Sequence, residues 1–299
     1  MRFTTTLASF LSFTALVYAS PLLKRQSTVT QVYKFTGSPV KAEGIVVRSN
    51  GQILVTFFDK GEVWLVDSPT KKATKVATFT DTTCSAAIAE VAPDVFAIVA
   101  GKYSNSNTPG SWGVWKVDFS AGGASPTTTL VKKVPESGMW NGLTAFNNDT
   151  VLVGDATKGA VFKVNVNTGA YSVAIEDSTM KPSSGMPMGI DGIRYANGNI
   201  YYTNIFANKF YKMPVDTDGK KTGAATQIWG DQMADDMYVS PEGVAYVAAS
   251  SGIKRVTADG KVSTVASVRS GTAVTIGADK STLFVAGSDG AISSFKVPA

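Results

Sequence analysis

Short apolar runs alternate with Gly, Asn, Asp and Ser from residue 28 to the C-terminus, and no stretch sustains a helical period. Apolar runs of this length, bounded by turn residues, predict strands. The runs also repeat. "GQILVT" from Gly51, "DVFAIVAG" from Asp94, "DTVLVGD" from Asp149, "GNIYYTN" from Gly198, "GVAYVAAS" from Gly243 and "STLFVAGS" from Ser281 share one shape, with starts 43, 55, 49, 45 and 38 residues apart. Each is followed by a second strand-like run, such as "GEVWLVD", "GAVFKVN" and "NKFYKMP". A unit of roughly 40 to 50 residues carrying four strands is a propeller blade, and six such units are present.

The outer strands predict how the ring closes. "TKVATFT", "TTTLVKKV", "AYSVAIE", "TQIWGD" and "KVSTVASV" complete blades one to five, but nothing after "AISSFKVPA" completes the sixth. The matching run, "TVTQVYKF", lies at residues 28–35. The fold expected is therefore all-β, a six-bladed β-propeller closed by the N-terminal strand pairing with the last blade, which hides an otherwise open edge. A β-sandwich with the same number of strands leaves the repeat unexplained.

The innermost strand of each blade lines the central channel of a propeller. Here these strands read "AEGIVVRS", "CSAAIAEV", "WNGLTAFN", "IDGIRYAN", "ADDMYVSP" and "GTAVTIGA". Glu43, Asn141 and Asp235 each stand eight residues before the start of the next run, and Asp191 stands seven before it. Blades two and six offer Ser85 or Ala86, and Thr272. Four of the six blades thus carry a carboxylate or carboxamide at one height. Asn141 interrupts an apolar strand because its position points into the axis. Three carboxylates facing one another raise each other's pKa values, and a divalent cation relieves that repulsion. Any one of them alone is better explained as a strand cap or a ligand of channel water; it is the shared register that favours a metal. Glu43, Asp191 and Asp235 are the expected ligands. The cofactor is Ca²⁺, Mg²⁺, Mn²⁺ or Zn²⁺, with the all-oxygen set suiting the first three best.

Composition narrows the chemistry further. The 299 residues include no histidine and one cysteine, Cys84. This excludes Ser-His-Asp and Cys-His catalysis, His-ligated zinc and a disulfide framework within the chain. Arg2, the apolar "LASFLSFTALVYA" and the small-residue site at Val17-Tyr18-Ala19 read as a signal peptide over residues 1–19. A short propeptide over 20–25 ends at the dibasic Lys24-Arg25, and the propeller fills 26–299. The protein is accordingly expected in the secretory pathway or outside the cell. Both cuts together leave 274 residues and lower the formal net charge from +5 to +2. No basic cluster remains to attract nucleic acid or a membrane surface, and a monomer is expected. Asn148-Asp149-Thr150 is a glycosylation sequon and predicts a surface turn at Asn148.

The quoted axial motifs give the chain a resemblance to the SMP-30/gluconolactonase family of six-bladed propellers, over nearly all of residues 26–299. The resemblance implies that the Glu of "AEG", the Asp of "IDG" and the first Asp of "ADD" (Glu43, Asp191 and Asp235) hold a divalent metal. It makes Asn141 of "WNG" the amide on the substrate side. Asp191 stands where Asn is more usual, adding one negative charge. "EGIVVRSNGQILVT", "PDVFAIVAG" and "GIDGIRYANGNIYYTN" resemble a secreted fungal branch that includes hetero-Diels-Alderases of natural-product biosynthesis. The function this implies is a pericyclase joining a quinone methide to a polyene. The alternative is a metal-dependent lactonase in which Asp235 and Asn141 are catalytic. A third class, the non-catalytic binding propeller, does not account for carboxylates on the axis. Phe57, Phe58, Tyr103, Trp140, Met186, Met188 and Phe206 fall at or beside inner-strand ends. Among these, Trp140, Phe57, Tyr103, Met186 and Met188 are the expected walls for a hydrophobic small molecule; for each singly, packing in the core or between blades is the better account. Asp155, Asp59 and Lys60 read as turn residues.

Overall fold

The computed structural model describes Met1, residues 26–122 and residues 125–297. The expected signal peptide and propeptide, apart from Met1, lie outside the described residues. Among the described residues, twenty-four strands form six four-stranded antiparallel sheets. The first blade comprises β2 (Ala42–Val47), β3 (Ile53–Phe57), β4 (Lys60–Asp67) and β5 (Lys72–Thr78), and the second β6 (Cys84–Ala92), β7 (Val95–Gly101), β8 (Gly113–Asp118) and β9 (Thr127–Lys133). β10 (Trp140–Ala145), β11 (Thr150–Asp155), β12 (Ala160–Asn165) and β13 (Tyr171–Glu176) make the third. β14 (Ile190–Ala196), β15 (Asn199–Asn204), β16 (Lys209–Pro214) and β17 (Thr226–Trp229) make the fourth. The fifth holds β18 (Ala234–Val239), β19 (Ala245–Ala249), β20 (Gly252–Val256) and β21 (Val262–Ala266). The sixth runs β22 (Gly271–Ile276), β23 (Thr282–Gly287) and β24 (Ala291–Lys296), with β1 (Thr30–Lys34) antiparallel to β24 as its outer strand.

Neighbouring blades pack face to face, so a second strand is covered on both sides and reads as a continuous apolar run. All residues of β3, β11 and β19 are buried. Fourth strands face solvent and carry the polar residues, as in β5 and β9. The core divides into clusters between adjacent blades, one of which sets Trp112 of the second blade with Trp140 and Phe162 of the third. Each innermost strand touches the next around the ring, β22 touching β2.

The innermost strands share one irregularity. Their pairing with the second strand shifts register between Ala42 and Ile45, Ser85 and Ile88, Trp140 and Leu143, Ile190 and Ile193, Ala234 and Met237, and Gly271 and Ala273. A bulge frees a residue from the ladder and re-aims its side chain. The freed positions include Glu43, Asn141, Asp191, Asp235 and Thr272.

Glycine follows the axial residue in three blades because the next blade passes too close for a side chain. A Cβ at Gly142 would meet Asp191 O at 2.1 Å, one at Gly192 would meet Asp236 Cα at 2.6 Å, and one at Gly44 would meet Ala86 O at 3.0 Å. Threonine hydroxyls fasten the same level. Gly44 N–H donates to Thr56 Oγ1 (2.8 Å), which donates to Ala86 O (2.9 Å) in the next blade. Thr203 repeats the device, accepting from Gly192 N–H at 3.0 Å and donating to Asp235 O at 2.7 Å. Thr272 donates to Ala42 O at 2.9 Å, fastening the sixth blade to the first.

Candidate functional site

The bulges bring Glu43, Asn141, Asp191, Asp235 and Thr272 to one small axial cavity, beside Asp236. Asp191 is sealed, with 1% of its surface exposed. Glu43 and Asp235 are half-buried and face the wider end of the channel. Asn141 Nδ2 donates to Asp191 Oδ1, and the Asp191 and Asp235 carboxyls act directly on each other's ionisation. Loss of hydration, reinforced by Asp191 and Asp236, holds the Glu43 carboxyl well above the usual carboxylate range. The same loss, reinforced by Asp191 and Glu43, does so for Asp235. Burial and the charge of Asp236 push Asp191 up to about 7, against the opposing hydrogen bonds from Asp235 and Asn141.

Asp236 differs from the other three acids. It forms an ion pair with Arg194, and its Oδ1 accepts from Met237 N–H at 2.8 Å. The Arg194 guanidinium also donates to Ile193 O (2.7 Å) and Leu143 O (3.1 Å), tying the fifth, fourth and third blades together. Burial still raises Asp236 above the ordinary range, with Arg194 opposing.

Glu43, Asp191 and Asp235 have no cationic side chain of their own among the described residues. Desolvated acids without a cationic partner are neutralised either by protons or by a bound cation, and oxygen donors of this kind suit a hard divalent ion. The donor chemistry therefore fits a divalent cation. The arrangement is nevertheless not a finished cage. Among the described residues, no group of three or more His, Cys, Asp or Glu side chains stands positioned around a common metal centre.

Above this floor opens a cavity of about 310 Å³. Its apolar wall is Phe58, Met188, Ile205, Met233, Ala248 and Ala249. Its polar rim is Lys41, Ser250, Arg269, Ser270 and Ser288. Two positional rules account for most of the lining. In four of the six blades the first residue after the second strand points in, which supplies Phe58, Ile205, Ser250 and Ser288. So do residues two or three before the axial one, which supplies Lys41, Met188, Met233, Arg269 and Ser270.

The expected walls are distributed otherwise. Met188 lines the cavity. Trp140 does not: it is fully buried in the core between blades, its ring centroid 5.2 Å from that of Phe162. Strand alternation explains this, because the residue before the axial Asn141 points sideways into the core shared with the second blade. Phe57 is likewise fully buried, edge-on to Phe35 at 4.8 Å. Tyr103 packs on Phe58 with centroids 4.6 Å apart and supports the wall from behind. Met186 is 39% exposed and outside the lining, as is Phe206. Lys41, Arg269, Met233 and Ile205 went unnoticed in the sequence because they sit in loops, where no hydrophobic period marks them.

Turn acids hold the lead-in to the axis. Asp155 is fully buried and accepts from Gly138 N–H (2.7 Å) and Met139 N–H (3.1 Å), just before Asn141. Asp59 accepts from Val40 and Lys41 N–H, each at 3.1 Å, just before Glu43. Asn148 is exposed on the bend between β10 and β11. No helix among the described residues is long and apolar enough to cross a membrane.

No family model matches the chain. A proposed hetero-Diels-Alderase from Phoma sp is 25% identical over 254 residues, 74% of this chain and 72% of that protein. A second, asR5 from Sarocladium schorii, is 22% identical over 209 residues, 60% of this chain and 52% of its own length, so this match reaches about half of that relative. Among solved structures, the calcium-binding regucalcin of Agrobacterium tumefaciens aligns with TM-score 0.64 and 15% identity, covering 90% of this chain and 97% of its own. A proposed gluconolactonase aligns with TM-score 0.63 and 12% identity, covering 90% and 92%. The chain is thus similar in sequence to hetero-Diels-Alderases, and it has the fold of the regucalcin and gluconolactonase propellers.

Proposed function

We propose that this chain is a secreted pericyclase of natural-product biosynthesis, catalysing a hetero-Diels–Alder reaction between a quinone-methide heterodiene and an alkene of a polyene. The observation that carries this reading is the apposition of an apolar wall (Phe58, Met188, Ile205, Met233) to a floor of carboxyl and amide groups in one cavity. The reaction forms one C–C and one C–O bond, turns three π bonds into one, and releases no atom or proton. It therefore asks the protein for placement rather than a proton relay. Holding two reactants in contact supplies an effective concentration on the order of 10⁵ M or more.

The floor adds polarisation. Burial and the neighbouring Asp191 and Asp236 favour the neutral form of Glu43, and a neutral carboxyl donates a hydrogen bond that a carboxylate cannot. Donated to the heterodiene oxygen, that bond withdraws electron density and lowers the barrier to attack by the alkene. Asn141 and Asp235 fix Asp191 beneath it. Glu43, Asp191 and Asp235 are also the residues that would hold a divalent cation, which when bound supplies Lewis acidity toward the same oxygen.

The unpaired axial acids favour a second reading, a metal-dependent lactonase in which Asp235 and Asn141 serve hydrolysis. One experiment separates the two. Purified protein is given a quinone methide generated in solution with a polyene, and separately a panel of simple lactones, with Phe58→Ala and Asp235→Asn in parallel. The pericyclase reading expects one cycloadduct stereoisomer above the spontaneous background, reduced about tenfold or more by Phe58→Ala and largely kept by Asp235→Asn. Lactone hydrolysis that depends on Asp235 and on added Ca²⁺, with no cycloadduct above background, overturns it.

A further inference from the structure

The polar rim is not evenly charged. Lys41 and Arg269 are its two cationic side chains, and both line the cavity. They come from adjacent blades whose lead-in loops are fastened together, since Thr272 donates to Ala42 O at 2.9 Å. Neither makes a side-chain hydrogen bond or ion pair within the described residues, although nine other ion pairs form on this molecule. Their neighbours are otherwise engaged: Ser270 Oγ donates to Asp289 (2.9 Å), and Asp289 is paired with Lys34 (2.8 Å). Asp59, which accepts from the Lys41 backbone N–H, is occupied by backbone N–H groups. The apolar wall from the fourth and fifth blades (Met188, Ile205, Met233, Ala248, Ala249) lies across the same cavity. The cavity thus has a cationic end and a greasy end.

We propose that the mouth recognises ligands with an apolar body and one anionic oxygen group, a carboxylate or phenolate, seated between Lys41 and Arg269. The anion fixes the orientation of the body against Met188, Ile205 and Met233, so one face of the ligand meets the axial floor. The proposal rests on the mouth being the substrate site. It adds that the natural substrate carries an acidic oxygen on the part distant from the hydrocarbon.

Binding tests this without reference to turnover. 2-Naphthoate, neutral 2-naphthamide and cationic 2-naphthylmethylammonium share one apolar body that the cavity volume accommodates. Their Kd values are measured by calorimetry at low and at 0.5 M salt, for the wild type, Lys41→Met, Arg269→Gln and the double variant. The expected order is naphthoate tightest, by about tenfold over the amide, the scale of one charge-assisted hydrogen bond. High salt and the double variant should bring the ratio to near one while leaving amide binding unchanged. Circular dichroism melts confirm that the variants fold; both side chains are exposed, so little change is expected. Equal affinities for anion and amide, tighter binding of the cation, no detectable naphthoate binding, or a preference that survives in the double variant each overturn the proposal. An anion preference without cycloaddition would overturn the pericyclase reading and leave this one standing. Cycloaddition without the preference would do the reverse.

Discussion

Gly142→Ala tests whether the contact between blades at the axis sets the geometry of the site. The added Cβ would stand 2.1 Å from Asp191 O and 2.9 Å from Ile193 N. Both obstacles are backbone, so no side chain can swing away, and the third and fourth blades must separate by about 0.9 Å to restore a 3.0 Å contact. Overpacking of this kind costs about 1–3 kcal/mol and more where the backbone resists. At about 2–4 °C per kcal/mol for a chain of this size, about 3 kcal/mol lowers Tm by roughly 6–12 °C. The displacement falls on the hydrogen bond from Asn141 to Asp191. A misplacement of about 1 Å lowers turnover by ~100-fold where positioning carries the rate. Gly154→Ala is the matched control in the same blade, since its Cβ would find the Ile190 side chain at 3.5 Å, an ordinary contact. Calorimetry and single-turnover cycloadduct formation are read on both variants. If Gly142→Ala melts within about 2 °C of the Gly154→Ala control and keeps its turnover, the close approach of the blades is not what positions the axial residues.

The axial acids give the stability a pH dependence of known sign. Their folded pKa values are raised, so their contribution is fully present below about pH 4 and is lost as pH rises through the folded values, Asp191 at about 7. In chelator-treated protein Tm should fall between pH 4 and 7, and Asp191→Asn should flatten that slope; an unchanged slope refutes the assignment. Asp94 runs oppositely, because the Arg48 guanidinium lowers its pKa. Its contribution is present above about pH 4 and lost in acid, so Asp94→Asn should lower Tm at pH 7 and leave it nearly unchanged near pH 2. Added Ca²⁺ at pH 7 should raise Tm if the donor set binds it, and elemental analysis should find about one ion lost on Asp235→Ala; an EDTA-insensitive, metal-free protein refutes the site. Trp140→Ala should cost about 3–5 kcal/mol of stability as a core deletion, whereas Phe58→Ala should spare Tm and lower turnover, and the reverse pattern would put Trp140 in the wall.

The repeat made the blades legible because each blade solves the same burial problem with the same apolar runs. Glu43, Asn141, Asp191 and Asp235 were legible for a related reason: a polar residue at one register of an otherwise apolar strand has to be facing something other than core. The cavity walls were not. Trp140 stands beside the axial Asn141 and Phe57 beside the wall residue Phe58, yet a strand sends neighbours to opposite sides, and both went to the core between blades. Lys41, Met233 and Arg269 lie in connecting loops, whose side-chain directions follow from turns and from anchors such as Asp59 rather than from a period. Asp236 stands next to Asp235 in "ADD", but its partner Arg194 lies 42 residues away and only the ring brings them together.

The six bulges have a consequence for how such a site changes over time. A residue held outside the ladder owes nothing to strand pairing, so its identity can drift without sliding any strand along its neighbour. Ala86 and Thr272 occupy the same kind of seat as Glu43 and Asp191. The axis therefore resembles a rack with six interchangeable sockets, two of which hold small side chains here. New chemistry can be fitted socket by socket while the glycines beside them keep the frame in place.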